Sequence, residues 1–159
     1  MHARIDELNR LNLPGFYELF AALPPPRAGD LRGLFRGIFV GPGWLRNASG
    51  PALGIAGMGG WWGKEIAADG SAINLVLKRG SYERRFPMFF VEQRSYLDNK
   101  PGLALRYRAG SRFPWPLIVD ELRQIEPGLV LGMTLADLGP LRRVAFPFTL
   151  LHQETWDGL

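Results

Sequence analysis

The sequence predicts a mainly β fold, a single antiparallel up-and-down β-barrel with short N-terminal helices. Three observations carry that expectation. About eight short apolar or alternating segments follow one another, with turn residues roughly every ten positions. The chain holds 20 Gly and 13 Pro to make those turns, beside 10 Phe, 5 Trp and 4 Tyr to build a core. No long crossover separates the segments, so neighbours join as hairpins, and such a sheet loses its exposed edges by closing on itself. All 159 residues are read as one domain, with residues 1–30 as an N-terminal helical segment.

The elements follow in order. Ile5, Leu8 and Leu11 recur at helical spacing between Arg4 and Asn12, and Pro14-Gly15 stops that run. Phe16, Leu19 and Phe20 mark a second helix over Phe16 to Leu23, ended by Pro24-Pro25-Pro26. These helices are expected to plug or cover an open barrel end. Leu34 to Val40 reads as the first strand, closed by Gly41-Pro42-Gly43. Residues 43–60 are glycine-rich and undecided, with a turn of helix at Leu53 to Met58. Trp61 to Ala68 and Ser71 to Arg79 form a hairpin about Asp69-Gly70, a pair that tolerates positive φ.

Tyr82 to Tyr96 is one bent strand or two, with an irregularity at Pro87. Asn99-Lys100-Pro101-Gly102 turns into an amphipathic strand in which Leu103, Leu105 and Tyr107 alternate with Ala104, Arg106 and Arg108. Leu117 to Glu126 fits a strand or a short helix. Glu126-Pro127-Gly128 turns into Leu129 to Ala136, where Leu129, Leu131, Met133 and Leu135 share a face. A loop at Asp137 to Pro140 leads to the last strand, Val144 to Gln153, with Phe146, Phe148, Leu150 and His152 on one side.

Composition narrows the function. The absence of cysteine removes disulfides, thiolate nucleophiles and cysteine metal sites. No apolar run is long enough for a spanning helix. The charged start His2-Ala3-Arg4-Ile5-Asp6-Glu7 does not suit a secretory signal, so a cytoplasmic location is expected. The net charge of +4 is spread in pairs such as Arg84-Arg85 and Arg142-Arg143, interleaved with acids, as solvated strand faces are. No nucleic-acid partner is expected.

Several segments together resemble the uncharacterised bacterial GXWXG-motif proteins. These are Gly33-Leu34-Phe35-Arg36-Gly37 after Phe20-Ala21-Ala22-Leu23-Pro24-Pro25, then Trp61-Trp62-Gly63-Lys64-Glu65, then Leu105 to Arg108, Ile118 to Arg123, Leu131-Gly132-Met133 and Phe146-Pro147-Phe148. The resemblance covers most of residues 17–153, and Phe35 stands where the motif has Trp. It implies a lipocalin-like (calycin) barrel and imports no activity.

Aromatic side chains either fill such a barrel or line a pocket in it. The candidate ligand-binding residues are Phe35, Trp62, Lys64, Phe90, Tyr107, Asp120, Arg123, Phe148 and His152. Lys64 reads as a partner for a ligand head group or as a surface lysine. Asp120, Glu121 and Arg123 are the densest charges in an apolar segment, a candidate acid–base group or an ordinary ion pair. His152 is a candidate ligand contact, base or haem ligand, or a hydrogen-bonded structural residue. One histidine beyond the N-terminal tip and no cysteine argue against zinc, and no metal or cofactor is assigned. Gly57-Met58-Gly59-Gly60 lacks the Gly-Lys-Ser/Thr ending of a phosphate loop.

Three functions stand: a binding protein for a small, largely apolar molecule entering beside the N-terminal helices; an isomerase, cyclase or hydrolase using Asp120, Glu121 or His152 as acid or base; and an interaction module, such as a homodimer, with a filled barrel.

Overall fold

The computed structural model describes residues 2–154. Eight strands run in sequence: β1 (Gly33–Phe39), β2 (Trp61–Ile66), β3 (Ser71–Lys78), β4 (Ser81–Arg94), β5 (Pro101–Tyr107), β6 (Ile118–Glu126), β7 (Leu129–Ala136) and β8 (Phe146–Gln153). Each pairs antiparallel with its neighbour, and β8 pairs with β1, so the sheet closes into an up-and-down barrel. The predicted meander is therefore present, and the undecided segment after Leu117 is a strand.

Three helices accompany the barrel: α1 (Ala3–Leu8), α2 (Leu13–Ala22) and α3 (Gly43–Ile55). Pro14 lies in the first turn of α2 instead of closing a helix, a position where its missing N–H is not needed. Asn12 caps α2 by accepting from the Gly15 N–H at 2.9 Å. The first two helices do not plug an end of the barrel, as the sequence led us to expect. Ile5, Leu8, Phe16 and Phe20 pack on the outer wall against Ala104, Val119, Leu131, Met133 and Leu135. The clean Leu129-Leu131-Met133-Leu135 face of β7 thus points out, towards the helices, while Val130 belongs to the interior.

The interior cluster includes Phe35, Val76, Met88, Leu105, Tyr107, Leu122, Phe148 and Leu150. Ala28 and Leu31 pack against it at one end. At the other end Leu53, Ala56 and Met58, from α3 and the turn after it, pack against it with Trp115. The Trp115 indole N–H donates to the Ala56 carbonyl at 2.9 Å and ties α3 to the β5–β6 connection. Gly50, Pro51 and Gly54 obscure this helix in the sequence, because each is a poor helix former.

Two bulges redirect side chains. One lies in β2 between Trp61 and Gly63. The other lies in β4, where Phe86 is the extra residue opposite Ile73 and Asn74. Phe86 has φ of +52°, a costly conformation for an aromatic residue. The irregularity is thus one residue before the predicted Pro87.

Candidate functional site

Period-two alternation places Lys64 on β2, Asn74 on β3, Asp120 on β6 and Thr134 on β7 inside the barrel. Lys64 lies opposite Asn74 in the β2–β3 register, and Asp120 lies opposite Thr134 in the β6–β7 register. These two cross-strand pairs face each other across the interior. Lys64 Nζ spans the gap to Asp120 Oδ2 at 3.2 Å. It also donates to Asn74 Oδ1 at 2.7 Å and meets Met88 Sδ at 3.2 Å. Thr134 donates to Asp120 Oδ1 at 2.8 Å. Asn74 Nδ2 donates to the Phe86 carbonyl and to the Tyr107 hydroxyl, each at 3.2 Å. The Trp61 indole N–H donates to Asn74 Oδ1 at 3.1 Å.

Lys64 is 1% exposed and Asn74 is 0% exposed, so this network is interior and not a surface patch. Burial lowers the Lys64 ammonium from its ordinary value, against the pull of Asp120. Burial raises the Tyr107 hydroxyl well above its ordinary value, with the Asp120 charge acting in the same direction. Tyr107 is therefore a neutral O–H donor at any physiological pH.

The network borders a cavity of about 50 Å³, lined also by Phe39, Leu53, Met58, Trp115, Ile118 and Phe148. A groove of about 350 Å³ lies between α3 and the rim of the barrel. Its floor is apolar, built from Trp44, Leu45, Ala48, Ala52, Pro147 and their neighbours. Groove and cavity share Phe39, Leu53, Trp115, Ile118, Thr134 and Phe148, so the two lie side by side. Glycine makes the walls possible. A Cβ at Gly37 would lie 2.2 Å from the Trp61 ring, and one at Gly132 would lie 2.2 Å from the Phe148 ring.

Four of the nine residues singled out in the sequence meet here: Lys64, Tyr107, Asp120 and Phe148. Phe35 and Phe90 face the interior cluster but do not line the cavity. His152 is exposed and packs edge-on against Phe35, with ring centroids 5.2 Å apart, beside a hollow formed by Pro24, Pro25 and Gln124. The β2 bulge puts Trp61 into the cavity in place of Trp62, which stacks with Tyr82 and Arg36 instead.

Arg123 is buried on the outer wall under α2. It pairs with Asp98 at 2.9 Å, donates to the Phe20 carbonyl at 3.2 Å and lies 4.1 Å from the Phe20 ring centre. Glu121 shares that wall and accepts from Ser95 Oγ and the Tyr96 N–H. Neither can orient a molecule inside the barrel. Sequence reasoning missed Asn74, Trp61 and Thr134. Asn74 carried a signal, since an amide amid β-branched and apolar neighbours is either a wet-face residue or the hub of a buried network. Among the described residues no group of three or more His, Asp or Glu side chains is placed to hold a metal ion, and no helix is long and apolar enough to cross a membrane.

The crystal structure of a protein from Thermomonospora curvata has the same fold, with a TM-score of 0.71 over 94% of this chain and 93% of that one. The two sequences are 19% identical, so the likeness shows the barrel fold alone. No family model and no curated protein matches the chain, and the GXWXG resemblance rests on its short motifs.

Proposed function

We propose that this protein binds a small, largely apolar molecule in a lipocalin-like manner, with the apolar body in the groove under α3 and a polar end in the cavity beside Lys64, Asp120 and Tyr107. One observation carries the reading: an apolar groove adjoins the cavity that a buried polar network borders. Ligand sites combine mostly apolar walls with a few convergent polar groups. The entrance is beside α3 and not beside α1 and α2, which lie on the outer wall.

A neutral, environment-sensitive naphthalene ketone dye tests this reading. The expected result is saturable, competable fluorescence enhancement. Ala48→Trp, an exposed position on the groove wall, should weaken the dye at least tenfold and leave the melting temperature unchanged. Enhancement that does not saturate, or that ignores Ala48→Trp, would reject the groove as a ligand site.

A second reading has one observation in its favour. Of the acid–base candidates Asp120, Glu121 and His152, Asp120 faces the cavity with hydrogen-bonded partners. Proton transfer on a bound ligand would use Asp120 as acid or base. Solvent deuterium incorporated into a bound ketone by the wild type, and not by Asp120→Asn, would support it.

A further inference from the structure

We propose that the inner end of the ligand is a neutral carbonyl oxygen, of a ketone, aldehyde or ester, held by the Tyr107 O–H and the third N–H of Lys64, and not a carboxylate. This rests on the ligand-binding reading above. Two features of the cavity argue for it.

The first is hydrogen-bond capacity. Both N–H groups of Asn74 are used on Phe86 and Tyr107, and its oxygen already accepts from Lys64 and Trp61. Both oxygens of Asp120 are occupied, by Lys64 and Thr134. The Tyr107 oxygen accepts from Asn74, yet its own O–H meets no acceptor among the described residues. Lys64 directs one N–H at the Met88 sulfur, a weak acceptor. Donors are thus in surplus, and a ligand that supplies an acceptor satisfies them.

The second is charge. Among the described residues Lys64 is the one cation lining the cavity, and Asp120 already neutralises it. A carboxylate would add a second buried anion with no cation of its own, whereas a carbonyl adds none.

The test compares a medium-chain methyl ketone, the carboxylic acid of the same length and the parent alkane as competitors of the dye. The ketone should bind at least tenfold tighter than the acid at pH 8. Tyr107→Phe should weaken the ketone at least tenfold and leave the alkane unchanged. In the wild type, the carbonyl stretch of the bound ketone should fall relative to its value in hexane, a readout that needs no variant. An acid that binds as tightly as the ketone, or an unshifted stretch, overturns the carbonyl assignment while ligand binding stands. Failure of all three competitors overturns the ligand reading itself.

A different observation carries a second inference. The β1–β2, β3–β4, β5–β6 and β7–β8 connections all lie at the α3 end of the barrel. Residues 40–60, 79–80, 108–117 and 137–145 hold six Arg and one Asp, so these connections carry more than the whole net charge of +4. The same connections, with the first residue of β8, expose Trp44, Ile55, Phe113, Leu141, Val144 and Phe146. Exposed aromatic and aliphatic residues among arginines suit the interface of an anionic bilayer. We infer that this end docks on an anionic lipid surface, with the groove opening towards it.

Flotation with neutral phosphatidylcholine vesicles and with vesicles containing phosphatidylglycerol tests this. Binding should favour the anionic vesicles at least tenfold and fall with added salt. The double variant Ile55→Ser, Phe113→Ser, at exposed positions outside the groove lining, should lose it while keeping dye binding. Equal partition to both vesicle types, or no partition to either, overturns the inference and leaves a protein partner as the occupant of this surface.

Discussion

Replacing Lys64 by methionine removes one half of a buried ion pair and leaves the other. Asp120 loses the ammonium at 3.2 Å and keeps only the Thr134 hydroxyl at 2.8 Å. Side-chain exposures of 2% and 5% leave little room for water to replace the lost partner. Breaking such a pair typically costs about 3–5 kcal/mol. At about 2–4 °C per kcal/mol for a domain of this size, the melting temperature should fall by about 6–20 °C. The double variant Lys64→Met, Asp120→Val removes both charges, methionine matching lysine in length and valine exceeding aspartate by little, with the adjoining cavity to take up the difference. It should return to within about 1 kcal/mol of the wild type or exceed it, because buried ion pairs are often no better than apolar packing. Urea denaturation of the four proteins at pH 7 completes the double-mutant cycle. A cost below about 1 kcal/mol for Lys64→Met, or a double variant no more stable than the single one, would refute the view that this is a desolvated, mutually compensating pair. Both variants should reduce the preference for a ketone over an alkane, which separates stability from binding.

Other outcomes follow from the same geometry. Burial raises the Glu121 carboxyl above its ordinary value, so between about pH 4.5 and the raised native value the folded protein binds more protons than the unfolded chain. Its contribution to stability therefore falls as pH rises through that window. Glu121→Gln should gain on the wild type from pH 4 to pH 7, read by chemical denaturation at both pH values. Arg123→Met should cost about 3–5 kcal/mol by orphaning Asp98, yet leave dye affinity unchanged, because that pair lies on the outer wall. Gly132→Ala should push the Phe148 ring towards the cavity, costing about 1–3 kcal/mol in a melt and weakening the dye.

The strand count, the meander and the Asp69-Gly70 hairpin were legible because turn chemistry and alternation are local. Which face of each strand points inward was not. The purest apolar face, on β7, turns outward because α1 and α2 cover it, a tertiary fact that alternation cannot carry. Asn74 illustrates the converse. It alternates against Ile73, Leu75 and Leu77 and so reads as a wet-face residue, yet it is the hub of the interior network. Trp61 and Trp62 exchange roles through a single bulge, since one inserted residue reverses the facing of everything before it. α3 was hidden by its own glycines and proline. Its stability comes from Leu45 and Leu53 packed against the barrel, not from propensity.

Among the described residues two ion pairs are buried to a similar degree, and the contrast between them bears on function. Arg123 and Asp98 join α2 and the β4–β5 turn to the wall, and the Phe20 ring and carbonyl surround the guanidinium. That pair has a structural task and no cavity into which a ligand could reach. Lys64 and Asp120 join two opposite walls of a barrel whose strands already hold each other through a closed ladder. Nothing in the fold requires them, and apolar residues of the same size would fill the space at less cost in desolvation. They nonetheless sit where the apolar groove meets the cavity, with a tyrosine O–H left to donate. A polar network that the architecture does not need, placed where an apolar groove adjoins the cavity, is what the proposed ligand would account for.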